Sequence, residues 1–308
     1  MIGAGGIYAS FLTYGKLHEQ IFKYEDADGE RFKLAFFIQL IESIFSVLIS
    51  TLMLKWKGRQ KNLPLTLFAK SGVCQGLAKS CTSLALANAL SFPVVTLAKS
   101  GKMVPVMIGS ILIGQKSYSW KQYLSVAAII LGTVIVTMDQ KKGGSNKDDS
   151  FWGLLFIVAS LSFDGLVGGI QFDIQNECAK RGIAKVAPFD FMFWTNLFMA
   201  CTAALICITP TNSSSPELLR GITYVAANPI LLHKIVLFAL CSSVGQSFIF
   251  YTISNFDSLT NTTITTTRKI FSTVISILTE GHSMSGVGWG GLAVASAGIS
   301  MEIVEKME

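Results

Sequence analysis

Charge is scarce in this sequence. Charged residues make up 14% of the 308 residues, against about 25% in an ordinary soluble protein. A soluble fold of this length would lack charge for its surface. Hydrophobic residues account for 51% of the chain, and they fall in long uninterrupted blocks, which is typical of a protein whose main solvent is lipid. The composition therefore excludes a soluble globular enzyme and a disordered chain.

Potential metal ligands are also few. The three histidines lie far apart, and the six cysteines form no CxxC pair and lie mostly inside apolar blocks. A zinc site therefore has no plausible ligand set, and we interpret the cysteines as small helix-packing residues. We expect no metal, no other cofactor and no catalytic residue. The net charge of +6 is too small and too dispersed to indicate nucleic-acid binding.

The apolar blocks are long enough to cross a bilayer. A hydrocarbon core of about 30 Å needs roughly 20 apolar residues per helix. The first block lacks the basic leader of a secretory signal, so we interpret it as a membrane helix. The predicted spans are 2–17, 34–54, 64–87, 93–113, 120–138, 151–172, 188–209, 230–253, 258–279 and 284–303. The sequence thus predicts an all-α polytopic membrane protein with ten transmembrane helices.

Two longer polar stretches, 139–150 and 211–228, are rich in Gly, Ser, Asn and charge and are predicted to be surface loops. Basic residues are divided almost equally between the two sides of the membrane, so the positive-inside rule decides little. The loop 55–61 holds four cations and no acid. This loop favours a cytosolic position for itself and for both termini.

The chain carries traces of an internal repeat. Tight polar hairpins at 88–92 and 255–257 are separated by about the same shift that carries Lys102 onto Arg268. Five helices followed by five are the pattern of a transporter built from two repeats. Because five is odd, the second repeat must enter the membrane from the opposite side, so the repeats are expected to be inverted. The predicted divisions are 1–138 for the first repeat, 139–150 for the loop and 151–308 for the second repeat.

Several basic residues lie inside the predicted spans, where lipid penalises them. These residues are Lys79, Lys99, Lys102, Arg268 and Lys269. A Lys or Arg at the centre of a membrane helix costs about 2.5–3.5 kcal/mol when it faces lipid. Lys99 is near enough to the end of its span to reach the interface, whereas Arg268 and Lys269 are too deep for this escape.

Two internal arrangements would also compensate these cations. One is pairing with Glu42, Asp164 or Asp173, which lie in or beside apolar blocks. The other is a polar cavity that receives an anion, which we favour because the cations occupy corresponding helices of the two repeats. Lys99 and Lys102 are spaced i, i+3 and project from one helix face.

The ninth predicted span reads TTITTTRK at 262–269, a polar surface that a water-filled path would accept. Beside Thr267, Arg268 can hold a phosphate bidentately, while lysines act as mobile point charges. Four central cations suit a di- or triphosphate, so the implied cargo is a polyanion, most simply a nucleotide. Gln246 either binds a base or sugar or joins two helices, and Glu19 is either an interfacial charge or an acid facing the cavity.

Three segments carry a family resemblance. They are 97–107 (LAKSGKMVPVM), 245–250 (GQSFIF) and 264–271 (ITTTRKIF). These segments closely resemble the nucleotide-sugar transporters of the drug/metabolite transporter superfamily. The nearest branch is that of the UDP-galactose transporter homologues of the endoplasmic reticulum, whose animal member is also described as an ATP/ADP exchanger. The resemblance extends over nearly the whole chain.

The resemblance implies ten helices, an inverted five-plus-five repeat and alternating access between cytosol and lumen. It implies phosphate contacts from two cation pairs and an acid in the first helix. The expected substrate-binding residues are Lys99, Lys102, Arg268, Lys269, Glu19, Gln246 and Thr267. Lys79 departs from the family pattern, which more usually has a small or apolar residue at that position.

The expected function is antiport of a nucleotide sugar of the UDP-galactose/UDP-glucose class, by a multi-pass protein of the endoplasmic reticulum or Golgi membrane. The alternative is ATP/ADP exchange, which the same cations could serve. The expected partners are the nucleotide substrate and membrane lipid. Oligomer formation also stays open, because glycines in the last predicted span allow close helix contact within or between protomers. These glycines are Gly286, Gly288, Gly290 and Gly291.

Overall fold

The structure is a computed structural model that describes most of the chain. The described residues are 2–25, 29, 31–88, 90, 92–99, 119–141, 147–183, 186–209, 215–255, 264, 268, 271–272, 274–275, 277–278 and 284–307. Apart from the connections and one isolated antiparallel bridge between Glu25 and Arg31, they are helical. The prediction of an all-α protein is confirmed for this part of the chain.

The helix boundaries follow the apolar blocks closely. In the described residues the helices are α1 (Ile2–Phe22), α2 (Ala35–Lys57), α3 (Leu65–Ala87), α4 (Phe92–Ala98), α5 (Trp120–Lys141), α6 (Lys147–Lys180), α7 (Pro188–Ile208), α8 (Glu217–Ala227), α9 (Pro229–Asn255) and α10 (Gly286–Met307). The predicted span 93–113 begins as α4 and continues outside the described residues. Most of the predicted span 258–279 also lies outside them. The count of ten membrane helices therefore stays a prediction.

The predicted loop 139–150 is wrong at both of its ends. Helix α5 continues to Lys141, and α6 begins at Lys147 and runs for 34 residues. Lysine and glutamine are good helix formers, so a helix can run on past the end of an apolar block. The polar residues of 139–150 show where the apolar blocks end, but the helices extend beyond those ends.

The predicted loop 211–228 contains a helix. Helix α8 occupies Glu217–Ala227, directly after Pro216. Its apolar residues Leu218, Ile222 and Val225 are spaced four and three apart, which is the period of a helix with one apolar face. The segment is too short to span a bilayer, and its polar residues hid this period in the sequence.

The membrane-spanning character is visible in α2, whose polar side chains face inward. Its buried polar residues are Gln39, Glu42, Ser43, Ser46 and Ser50, whereas Ile44, Leu48 and Leu52 are exposed. A protein folded in water has the opposite arrangement. An apolar exterior around a polar interior is what lipid favours, because exposed polar groups have no partner there.

Length and hydropathy support the same conclusion. Among the described residues, four helices are long and apolar enough to cross a membrane. They are α2, the part Phe151–Lys180 of α6, α7, and the part Pro229–Ile249 of α9. Shorter apolar stretches are Tyr123–Val136 in α5 and Gly286–Met301 in α10. The chain is therefore a multi-pass membrane protein.

The helices pack mainly between the first and second halves of the chain. Helix α1 lies along α9, α3 along α6, α2 along α7 and α5 along α10. Helix α3 also contacts α7, and α2 also contacts α9. Buried residues from both halves, such as Ile21, Ile157 and Phe238, belong to one hydrophobic cluster. Neither half folds around a separate core in the described structure.

Helices α5 and α10 approach each other through glycines. A Cβ added to Gly132 would lie 2.5 Å from the carbonyl oxygen of Gly291, and one added to Gly291 would lie 2.6 Å from Ile135. Gly286 and Gly290 have open space around them. Gly291, one of the glycines noted in the sequence, therefore serves a contact within a single chain.

The starts of α2 and α7 are each held by the segment that follows the other helix. At α2, the backbone N–H groups of Phe36 and Phe37 both donate to Glu217 Oε1, at 3.0 Å each. At α7, the N–H of Ala187 donates to Gln60 Oε1 at 2.7 Å, and the N–H of Gln60 donates to Asp190 Oδ2 at 3.1 Å. The contacts of Phe36, Phe37 and Ala187 satisfy N–H groups at helix starts, which have no intrahelical partners.

Candidate functional site

Lys99, directly after α4, is surrounded by polar side chains of α3 and α6. Its Nζ lies 3.2 Å from Asp164 Oδ2 and donates to Thr82 Oγ1 at 2.9 Å. Thr82 Oγ1 is also 2.9 Å from Ser160 Oγ. Of the arrangements that the sequence left open for Lys99, the structure contains the internal ion pair. Both members stay partly accessible, with 23% of Lys99 and 24% of Asp164 exposed.

Lys79 of α3 is also paired with a carboxylate. Its Nζ lies 2.8 Å from Oε1 of Glu42, a side chain that is only 3% exposed. Ser242 of α9 donates a hydrogen bond to the same oxygen. A buried carboxylate is tolerated only with such partners, because its desolvation is costly. Lys79 thus belongs to an ion pair in which the carboxylate is buried and the lysine partly accessible, which we call the charged pair.

Gln246 of α9 makes contacts inside the bundle. Asn196 Nδ2 of α7 donates to Gln246 Oε1 at 3.1 Å. Gln246 Nε2 in turn donates to Ser242 Oγ at 3.4 Å, which links it to the charged pair. We call Asn196 and Gln246 the amide pair. These contacts match the helix-joining role that the sequence left open for Gln246.

Arg268 lies in a different environment from the two lysines. Its guanidinium carbon is 4.5 Å from the centroid of the Phe11 ring, within the range of a cation–π interaction. Over the residues that the structure describes, no carboxylate pairs with Arg268, and its buried Nε–H has no hydrogen-bond partner. A buried unsatisfied donor costs about 1–3 kcal/mol. Arg268 is therefore the described central cation whose charge is best placed to meet an anion.

Glu19 lies inside the bundle near the end of α1. Its side chain is 2% exposed, and Oε1 is 2.9 Å from Nζ of Lys23, which is 48% exposed. The neighbouring His18 is buried, with Nε2 3.2 Å from Ser83 Oγ and its ring stacked on Phe238 at 5.2 Å. The Glu19 carboxylate thus lies inside the helix bundle, whereas its partner Lys23 lies at the edge of the bundle.

The remaining predicted site residues cannot be placed. Lys102, Thr267 and Lys269 lie outside the described residues. Asp173, a further carboxylate considered as a partner for the cations, is exposed on α6. The six cysteines are free thiols, and the described part of the chain contains no cluster of metal-ligating side chains.

Sequence reasoning missed four side chains that shape the site. They are Phe11, Thr82, Asn196 and Ser242. A signal existed for Phe11 because aromatic residues recur on α1 at helical spacing, but such a row is common in any apolar helix. The other three are small polar residues inside apolar text, and their partners lie on other helices. No single-sequence pattern indicates which of them touch a cation.

A lipid-facing helical bundle with cations at its centre defines the class of polytopic solute carriers. The model of the UAA transporter family matches residues 1–306 of this chain. The chain therefore belongs to the UAA transporter family, and it is a membrane carrier and not an enzyme. The resemblance to transporters noted in the sequence is confirmed at the level of the family.

Curated relatives cover nearly the same length. "UDP-galactose transporter homolog 1" of Schizosaccharomyces pombe is 32% identical over 306 residues, covering 96% of this chain and 91% of its own. "UDP-galactose/UDP-glucose transporter 3" of Arabidopsis thaliana is 31% identical, with 98% and 90% covered. "Solute carrier family 35 member B1" of Gallus gallus is 28% identical, with 96% and 90% covered.

A solved crystal structure of another protein has a similar fold. It aligns with a TM-score of 0.52 at 13% sequence identity and covers 98% of both chains. At this identity the likeness concerns the fold alone.

Proposed function

We propose that this protein exchanges a cytosolic nucleotide sugar of the UDP-galactose/UDP-glucose class for a lumenal nucleoside monophosphate across the endoplasmic reticulum or Golgi membrane. The observation that carries the proposal is Arg268, a central cation that has an aromatic ring but no described carboxylate as its partner. A phosphate would supply both a counter-charge and acceptors for its N–H groups. The names of the relatives supply the sugar class.

The cation also gives a physical reason for obligatory exchange. Moving an uncompensated Arg268 through an occluded state would bury a bare charge in a low-dielectric environment, at a cost of several kcal/mol. A bound phosphate lowers this cost, so the loaded carrier changes its conformation more readily than the empty one. Import of one nucleotide then depends on export of another.

The packing of the helices supports the inverted five-plus-five repeat and alternating access. Exchanging the halves 1–138 and 151–308 maps α1 on α6, α2 on α7, α3 on α9 and α5 on α10. The contact of α1 with α9 then maps on that of α6 with α3, and the contact of α3 with α7 maps on that of α9 with α2. The contacts of α2 with α7 and of α5 with α10 map on themselves. Rocking of two such halves around a fixed site is the usual motion of this architecture.

The test is exchange in liposomes. Purified protein is reconstituted in separate vesicles preloaded with UMP, ADP or ATP, and uptake of UDP-galactose, UDP-glucose, ATP and ADP is measured with and without internal nucleotide. We expect uptake of a UDP-sugar that internal UMP stimulates. If no internal nucleotide stimulates uptake, the antiport proposal is overturned. If stimulated uptake is seen with ADP and ATP alone, the protein is an ATP/ADP exchanger and the nucleotide-sugar substrate is wrong.

Matched arginine variants connect the exchange to the site. Arg268→Ala removes a charged contact to phosphate, and such a contact is worth about 1.5–3 kcal/mol, so we expect about a tenfold to hundredfold loss of affinity. Arg181→Ala removes the same charge from an exposed ion pair with Glu177 and should leave affinity unchanged. Equal effects of the two variants would show that net charge, and not the central site, determines uptake.

A further inference from the structure

Helices α1 and α9 meet through two reciprocal contacts between a ring and a glycine. The ring of Phe248 on α9 lies against Gly6 on α1, where an added Cβ would be 2.5 Å from the ring. The ring of Phe11 on α1 lies against Gly245 on α9, where an added Cβ would be 2.7 Å from Cε2. Each helix therefore supplies one ring and one glycine to the same interface.

The Phe11 ring also contacts a cation. The guanidinium carbon of Arg268 lies 4.5 Å from the ring centroid, and the same ring packs against Gly245. Neighbouring rings hold Phe11 in place, since Tyr14 meets it edge-on at 5.8 Å and is itself stacked on Phe238 at 4.5 Å. The ring that contacts Arg268 is thus packed against both a glycine and a second ring.

We propose that Phe11 is a positioning residue for anion binding, which fixes the plane of the Arg268 guanidinium, and that Gly245 fixes Phe11. This inference rests on the proposed function, in which Arg268 contacts the phosphates of the nucleotide. A guanidinium stacked on a ring directs its N–H groups outward in the plane of the fork, which is the geometry that bidentate phosphate binding requires. Fixing it in advance reduces the conformational entropy lost when the ligand binds.

The stacking also explains how the charge is tolerated before a ligand arrives. The face of an aromatic ring is the negative end of its quadrupole and attracts a cation. Unlike a carboxylate, the ring does not neutralise the charge and does not compete for the N–H donors. Arg268 is thereby stabilised while its hydrogen-bonding capacity stays available to phosphate.

The experiment compares Phe11 with Phe37, a ring at the start of α2 that lies against Gly221 of α8. Phe11→Leu removes the ring face, and we expect the KM for UDP-galactose exchange and the Kd for UMP to rise about fivefold, with a smaller change in the maximal rate. Phe11→Trp retains a ring face and should restore affinity. Phe37→Leu removes the ring of a different contact between a ring and a glycine and should leave KM near the wild-type value, even where its melting temperature falls as far as that of Phe11→Leu.

The glycines provide a second, independent pair of variants. Gly245→Ala places a methyl group against Phe11 and should raise KM, while Gly221→Ala places one against Phe37 and should change only stability. Equal KM shifts for Phe11→Leu and Phe37→Leu would reduce Phe11 to a packing residue and overturn the inference. If Arg268→Ala raises KM while Phe11→Leu does not, the positioning role fails and the proposed function stands. If Arg268→Ala itself leaves KM unchanged, both fail.

Discussion

If the halves are matched as in the proposed repeat, two polar pairs fall at the same level of the matched helices, but the pairs differ in chemistry. In the first half the charged pair joins α2 to α3, and in the second half the amide pair joins α7 to α9. Glu42 and Asn196 lie seven and eight residues after the first residues of α2 and α7. Lys79 and Gln246 lie eight and nine residues before the last residues of α3 and α9.

The cations follow the same division. Lys79 and Lys99, in the first half, are each paired with a carboxylate. Arg268, the described central cation of the second half, has a ring instead. A paired lysine contributes to the bundle at the expense of its affinity for anions, while a stacked arginine keeps that affinity. Under the proposed function, the first half supplies rigidity at the centre and the second half supplies the charge that contacts the substrate.

The largest effect is expected from breaking the charged pair. Lys79→Ala leaves Glu42 buried without a cation, which costs about 3 kcal/mol and should lower the melting temperature in detergent by about 6–10 °C. Gln246→Ala breaks the amide pair, a loss of about 1 kcal/mol, and should lower it by about 2–4 °C. Nucleotide-free protein is used, so that binding does not contribute.

A double variant is the control for this comparison. Replacing both members by amides, Lys79→Gln with Glu42→Gln, gives the first half a neutral pair like that of the second. Because no buried charge is left unpaired, most of the lost stability should return. If the double variant is no more stable than Lys79→Ala, the cost comes from lost packing and the comparison of the halves loses its electrostatic basis.

An intermediate effect is expected from releasing Lys99. Asp164→Asn removes the carboxylate that competes with phosphate for Nζ, while the hydrogen bond to Thr82 can persist. A partly exposed ion pair is worth about 0.5–1 kcal/mol, so the affinity for UMP should rise about twofold to fivefold. Titration calorimetry measures it. Asp173→Asn, at an exposed site of the same helix, should change nothing, and weaker binding by Asp164→Asn would contradict this role for the carboxylate.

The smallest effect is expected where α8 meets the start of α2. Burial raises the pKa of Glu217 above its ordinary value near 4.5, against the opposing influence of the Phe37 and Phe36 N–H groups and Arg220. The native state therefore holds this proton at a higher pH than the unfolded state does. The stability owed to this group then increases as the pH falls from neutral through the native pKa, and it levels off below about 4.5.

The pH dependence can be measured by difference. The melting temperature of the wild type minus that of Glu217→Gln should increase by about 1 °C as the pH falls from 7.5 to 5. Glu177→Gln, at an exposed carboxylate, provides the control for general charge effects. A difference that falls over this range would mean that the Phe36 and Phe37 N–H groups outweigh burial and hold the carboxylate ionised.

The sequence predicted most of the helices because the spans are simple apolar blocks. It also favoured an interior position for Arg268 and Lys99, since a cation within a span is costly when it faces lipid. It did not predict which cation would be paired, because Lys79 and Glu42 meet through the tertiary packing of α2 on α3. It gave Phe11 no role, since a ring in an apolar helix is ordinary until a cation lies on it. Helix α8 was missed because a short amphipathic period is weak beside strong apolar blocks.

The reciprocal contacts at the starts of α2 and α7 have a mechanical consequence. Glu217 holds the start of α2, and Gln60 holds the start of α7, so the two helices and their following segments form a closed loop of bonds. Sliding either helix along the other would break bonds at both of its ends at once. In the alternating access proposed above, α2 and α7 would then keep their positions relative to each other, and the surrounding helices would move around them.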